Sequence, residues 1–179
     1  MTGVPFPEPT APRASRAEVL LGYLDFFRGV VVEKIDGLPD EQLRGSVLPS
    51  GWSPLALVSH LTSVESRWVV WGFAGEEVPD PWGDERDGRW TVRADEPAEH
   101  VVAALQRQAA RTREVVSSHD LTDRGRPGER WDGAPPAVLK RVLLHLVQEY
   151  ARHAGHLDVV RELLDGRTGE SAPPATVTR

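Results

Sequence analysis

The sequence predicts an all-α protein, an antiparallel four-helix bundle. Four long segments repeat apolar residues at helical spacing, and helix start or stop residues stand at their ends. No segment sustains the apolar–polar alternation of a half-buried strand.

The first helix opens at Ser15-Arg16-Ala17-Glu18, a capping-box pattern, and carries Leu20, Leu24, Phe27, Val31 and Ile35 on one stripe before Gly37 stops it. Residues 38–43 read as a short helical turn within a connecting loop. Ser53-Pro54 starts the second helix, because Ser is a good N-cap and Pro suits the first helical position. Its stripe runs through Leu57, Leu61, Val64, Trp68 and Trp71, with Ser59, Ser63 and Arg67 facing solvent and an end near Gly75. Residues 76–93 are rich in Pro, Gly, Asp and Trp, and read as a long ordered loop of the kind that covers a site. The third helix begins around residues 95–97 and follows Val101, Leu105, Gln108, Ala109, Thr112 and Val116 to His119-Asp120. After a second loop, Pro135-Pro136 launch the fourth and longest helix, through Val138, Val142, Leu146, Tyr150, Leu157, Val160 and Leu164 to Gly166.

These boundaries give a loose Pro-rich arm over residues 1–14, one bundle domain over 15–166 and a loose tail over 167–179. At 179 residues the chain is long enough to bury a continuous core, and with no Cys it must do so without disulfides. A net charge of −6 argues against a nucleic-acid partner, whose backbone is held by clustered Lys and Arg. The apolar runs are too short for a bilayer, and the first residues lack a basic start followed by an apolar stretch, so a cytoplasmic location is expected.

Three polar residues fall on apolar faces. On the fourth helix His153 lies near the centre of the face formed by Val142, Leu146, Leu157, Val160 and Leu164, and Glu149 stands one turn earlier at its edge. On the second helix His60 shares the inward register of Leu57, Leu61 and Val64. Two imidazoles and a carboxylate turned inward are costly without partners, and a divalent metal would compensate them. Three protein ligands would leave coordination positions open, as in catalytic rather than structural sites. Spacing alone also allows His145 with Glu149 and His153, or His153 with His156.

The strings Pro49-Ser50-Gly51-Trp52-Ser53-Pro54-Leu55-Ala56-Leu57-Val58-Ser59-His60-Leu61 and Glu149-Tyr150-Ala151-Arg152-His153-Ala154-Gly155-His156-Leu157-Asp158 resemble the two signature helices of the DinB-like superfamily, in particular an uncharacterised actinobacterial-type branch. The resemblance covers residues 15–166 and implies a bundle in which a long crossover joins the middle helices. By motif it assigns a divalent metal to His60, Glu149 and His153, the His-Glu-His set that also marks the related mycothiol-dependent maleylpyruvate isomerases. It leaves His156 beside the ligands or facing substrate, with Arg152 and Trp52 as further neighbours and Trp82 and Trp131 as weaker candidates for the pocket wall. No catalytic residue is assigned.

The implied function is a metal-dependent transferase or isomerase that uses a low-molecular-weight thiol against a small electrophile, the metal being zinc, or else nickel or iron. The contrasting reading is a non-catalytic binding or stress-response module whose metal only stabilises the bundle. A homodimer is expected by the same resemblance.

Overall fold

The computed structural model describes residues 6–168; the remaining parts of the expected arm and tail, 1–5 and 169–179, lie outside the described residues. Five α-helices are present among these residues: α1 (Arg16–Ile35), α2 (Asp40–Arg44), α3 (Pro54–Glu65), α4 (Ala98–Ser117) and α5 (Leu139–Asp165). A π-helical segment, Ser66–Ala74, continues α3 without a break, and the long crossover that follows holds a small hairpin, β1 (Glu85–Arg86) with β2 (Arg89–Trp90). The fold is all-α, as expected. Helices α1, α3, α4 and α5 form the bundle around a core that includes Leu24, Leu55, Leu57, Leu61, Leu105, Leu143, Leu146 and Leu157.

Local chemistry accounts for the helix ends. The Ser15 hydroxyl accepts from the Glu18 amide at 3.1 Å, and the Ser53 hydroxyl accepts from Ala56 at 3.2 Å, with Pro54 in the first turn of α3. The Glu18 carboxylate turns to Arg113 on α4 rather than back to Ser15, so only half of the expected capping box forms. Gly75 and Gly166 end their helices in the left-handed region, with φ of 67° and 74°. Helix α5 starts a few residues later than its prolines suggest. Residues 135–138 are instead held extended: Gly125 donates to Ala137 at 3.0 Å, and Leu139 donates to Asp123 at 2.9 Å. Residues 6–14, expected to be loose, lie against α1, where Phe6 meets the rings of Phe26 and Tyr23 edge-on at 5.1 and 6.4 Å.

Two helical faces differ from the expected stripes. On α1 the buried positions are Leu21, Leu24, Arg28, Val31 and Ile35, alternating three and four residues apart, while Leu20 and Phe27 flank them. An arginine therefore occupies the middle of a core seam. Beyond Glu65 the wider π-helical turn advances the buried face, so Arg67, Val69, Gly72 and Phe73 turn inward. Trp68 and Trp71 are then only half-buried, and Arg67, expected in solvent, is 4% exposed.

Both shifts serve buried charges. Glu65 has no exposure, and its carboxylate accepts from every other bundle helix: Arg28 of α1 through Nη2 at 2.5 Å and Nε at 3.2 Å, Thr112 of α4 at 2.5 Å, and the Tyr150 hydroxyl of α5 at 2.7 Å. Burial opposes the charge on Arg28, but the facing Glu65 and Tyr150 outweigh it and hold its pKa above the usual value. Burial beside Glu65 likewise pushes the Tyr150 phenol well up, so it stays a donor.

The helix directions follow from these and neighbouring contacts. Helix α5 runs alongside α1 in the same sense, with Arg28 near Tyr150 and Lys34 paired to Asp158 at 2.7 Å. It runs against α3, since Glu65 meets Tyr150 while His60 lies beside His153. The crossover carries the chain back along the bundle, so that α4 begins where Arg44 of α2 donates to the Glu96 carbonyl at 2.7 Å.

Removing one member of this network strands the others. Glu65→Ala, which leaves the Arg28 guanidinium buried and uncompensated, is expected to destabilise the bundle by about 3–5 kcal/mol in chemical denaturation. The double change Arg28→Met with Glu65→Leu should recover much of that loss. A Glu65→Ala variant as stable as the parent would show that the four helices do not depend on this carboxylate.

Candidate metal centre

The antiparallel run of α3 against α5 sets the register of the site. From the Glu65–Tyr150 contact, His60 lies five residues back along α3 and His153 three residues on along α5, and the two travel in the same direction through the bundle. Their rings meet edge-on with centres 5.3 Å apart. Glu149, one turn before His153, points its Oε2 at His153 Nε2 at 3.3 Å. One ligand atom from each of His60, Glu149 and His153 can be chosen so that all three lie within 4.8 Å of one another. The three residues singled out in the sequence are thus brought to one point.

The surroundings suit neutral imidazoles with fixed orientation. Burial, followed by the charges of His60, His156 and Arg152, pushes the His153 pKa down to about 3, so the ring is neutral at neutral pH and one of its nitrogens has a free lone pair. Its Nδ1 faces His156 Nδ1 at 3.2 Å, which leaves Nε2 for the side of Glu149 and His60. His60 Nδ1 is held by Asp84 Oδ2 at 2.8 Å, leaving Nε2 for an ion. A carboxylate behind an imidazole fixes its tautomer and raises the basicity of the other nitrogen, and Asp84 stands so behind His60. Asp84 is itself clamped by Arg67, whose Nη1 donates to Oδ1 at 2.5 Å and to the Pro81 carbonyl at 2.8 Å. Burial alone would raise the Asp84 pKa, but hydrogen bonds from His60 and Arg67 reverse it and keep the carboxylate ionised. The donor set, two nitrogens and one oxygen with outer partners in place, fits a divalent ion of the zinc, nickel or iron type.

Asp84 reaches the site because the crossover folds back over it. The β1–β2 hairpin turns at Asp87-Gly88, both with positive φ, and Thr91 donates to the Asp84 carbonyl at 2.7 Å. Trp90, on the returning strand, stacks on His60 with ring centres 4.0 Å apart and nearly parallel planes. The expected covering loop is therefore also a source of site residues. Asp84, Arg67 and Trp90 were not picked out as such in the sequence; the Asp-Gly turn was the available signal for the hairpin.

The other candidates separate by position. Trp52 is buried and packs against His156 and Trp90 at 5.9 and 6.1 Å. Arg152 is exposed on the flank of α5. His145 touches the far oxygen of Glu149, Nε2 to Oε1 at 3.3 Å, from the neighbouring turn of α5. Trp131 donates from Nε1 to the carbonyls of Gly72 and Arg126, both at 3.0 Å, and lies beside Trp68 with ring centres 6.0 Å apart. Trp82 is half-exposed and stacks on the outer side of Arg67 at 4.4 Å.

If Asp84 orients His60 as this geometry implies, Asp84→Asn lowers zinc affinity by about 10–100-fold with the fold intact, measured by competition with a chromophoric chelator. Unchanged affinity would show that the carboxylate only braces the loop.

No curated protein matches the chain. The family model for mycothiol-S-transferase matches residues 19–166, which takes in all but the first three residues of the bundle helices and all three candidate ligands. By that match, over well more than half of its length, the chain belongs to the mycothiol-S-transferase family.

Proposed function

We propose that the protein is a metal-dependent enzyme that joins a low-molecular-weight thiol to a small electrophile. The single observation that carries this reading is the convergence of His60, Glu149 and His153, three protein donors, on one point. A divalent ion held there would supply positive charge that lowers the pKa of a thiol brought to it. The family's description makes mycothiol the thiol of choice, and zinc is the ion we assign, with nickel and iron compatible with the same donors.

Each residue then has a task. Asp84 and Arg67 hold His60 in one tautomer and orientation. Burial keeps His153 uncharged, and His156 fixes which of its nitrogens faces inward. Glu149 contributes the anionic donor that offsets part of the ion's charge in a partly enclosed site. Trp90 and Trp52 wall off water on the side of the hairpin. In the reaction the thiol loses its proton to solvent and the sulfur forms a bond to carbon. In a transfer the leaving group departs with its bonding pair; in an isomerisation no group leaves, the sulfur instead adding to a conjugated carbon–carbon double bond whose π pair moves onto the conjugated acceptor, and the return of that pair restores the double bond, breaks the sulfur–carbon bond and regenerates the thiolate. A purely structural metal calls for a closed donor shell, so three converging protein donors favour the enzyme over a stabilised binding module.

Metal-loaded protein should catalyse mycothiol conjugation to monobromobimane, and His60→Ala should lower kcat/KM by more than about 100-fold, beyond what losing an outer partner causes. Equal rates for parent and variant would sink the reading. Stripping the parent with chelator should abolish the rate, and re-addition of zinc should restore it.

A further inference from the structure

On the far side of Glu149 from the hairpin a cavity of about 630 Å³ opens between the π-helical segment, the loop before α5 and the first turns of α5. Its walls include the rings of Trp68 and Trp131, the His145 imidazole and two guanidinium groups, Arg124 and Arg141, and no carboxylate lines it. This is unusual ground in a chain whose net charge is −6. Trp68 and His145 meet with ring centres 4.6 Å apart, and His145 in turn touches Glu149, so one imidazole separates the cavity from the candidate ligands.

The aromatic walls are fixed in place. The bifurcated hydrogen bond from Trp131 Nε1 locks that indole against Gly72, where a Cβ would stand only 3.3 Å from the ring. Arg130 lies over the Trp68 ring with its guanidinium carbon 4.0 Å from the centre. Its Nε is buried and has no hydrogen-bond partner, and Arg130 forms no ion pair among the described residues. Arg67, whose charge bears on Arg130, is already committed to Asp84 and the Pro81 carbonyl. Arg124 donates only to the Pro136 carbonyl among these residues, and exposed Arg141 is likewise without a carboxylate. Two guanidinium groups without a carboxylate partner thus line the cavity beside two indoles, and a third, Arg130, lies over Trp68.

We propose that this cavity binds planar organic anions, and that it is where the electrophile is seated: an aromatic or conjugated acid whose flat body lies against Trp68 and Trp131 and whose carboxylate pairs with Arg141 and Arg124. The second clause rests on the thiol-transfer reading above; the first does not. Aromatic stacking and charge-assisted hydrogen bonds are the two interactions that these side chains offer, and a flat anion uses both.

The test compares 2-naphthoate with the isosteric neutral 2-naphthamide, by titration calorimetry on the full chain, metal-loaded and chelator-treated. The acid is expected to bind at least about tenfold tighter than the amide, in both states. The double variant Arg124→Gln with Arg141→Gln, both at exposed positions, should erase that preference while leaving amide binding in place. Equal binding of acid and amide, a preference that survives in the double variant, or acid binding that requires the metal would overturn the proposal. The bimane assay on the same preparations separates the two readings. Charge-selective binding without thiol transfer keeps the anion site and overturns its role as substrate seat. Thiol transfer without charge-selective binding overturns the cavity assignment alone.

Discussion

A carboxylate removed from water must be met by donors or the charge is not sustained, and in this bundle the requirement falls on Glu65. Its donors come one from each of α1, α4 and α5, so satisfying a single side chain fixes the rotation of four helices about their axes at once. Apolar seams tolerate sliding by a turn, because one leucine can replace another in a hole. A bidentate arginine, a threonine and a tyrosine around one carboxylate cannot be exchanged in that way.

That constraint reaches the site through short helical spans. With Glu65 fixed against Tyr150, His60 on α3 and His153 on α5 are carried to the same level, and Glu149 lies one turn behind. The change from α- to π-helical turns directly after Glu65 then brings Arg67 inward to hold Asp84, and Asp84 holds His60. The same segment sets Trp68 and Gly72 against the loop that bears Arg130 and Trp131. One buried carboxylate and one π-helical segment therefore organise both sides of Glu149, the hairpin side with its ordered imidazoles and the opposite side with its arginine-rimmed cavity.

Within the chain itself, periodicity and capping residues were enough to find every bundle helix, since Ser15, Ser53-Pro54, Gly75 and Gly166 act on their own neighbours through local hydrogen bonds and backbone preference. The inward placement of His60, Glu149 and His153 was equally readable, because each is set by its own helix's repeat. Asp84 was not readable: it sits in a crossover without period, and its role exists only once the Asp87-Gly88 turn folds that crossover over α3. The burial of Arg67, expected in solvent, and of Arg28 was not readable for a related reason. A charged residue is placed in solvent by any pattern of apolar spacing, and only the carboxylate arriving from another part of the chain, Glu65 or Asp84, makes its burial favourable. The sequence by itself thus determined the helices and which faces carry the candidate ligands, since those depend on neighbours within a few residues. The tertiary structure alone decided which buried charges meet, because pairing across the bundle depends on distances that local spacing does not encode.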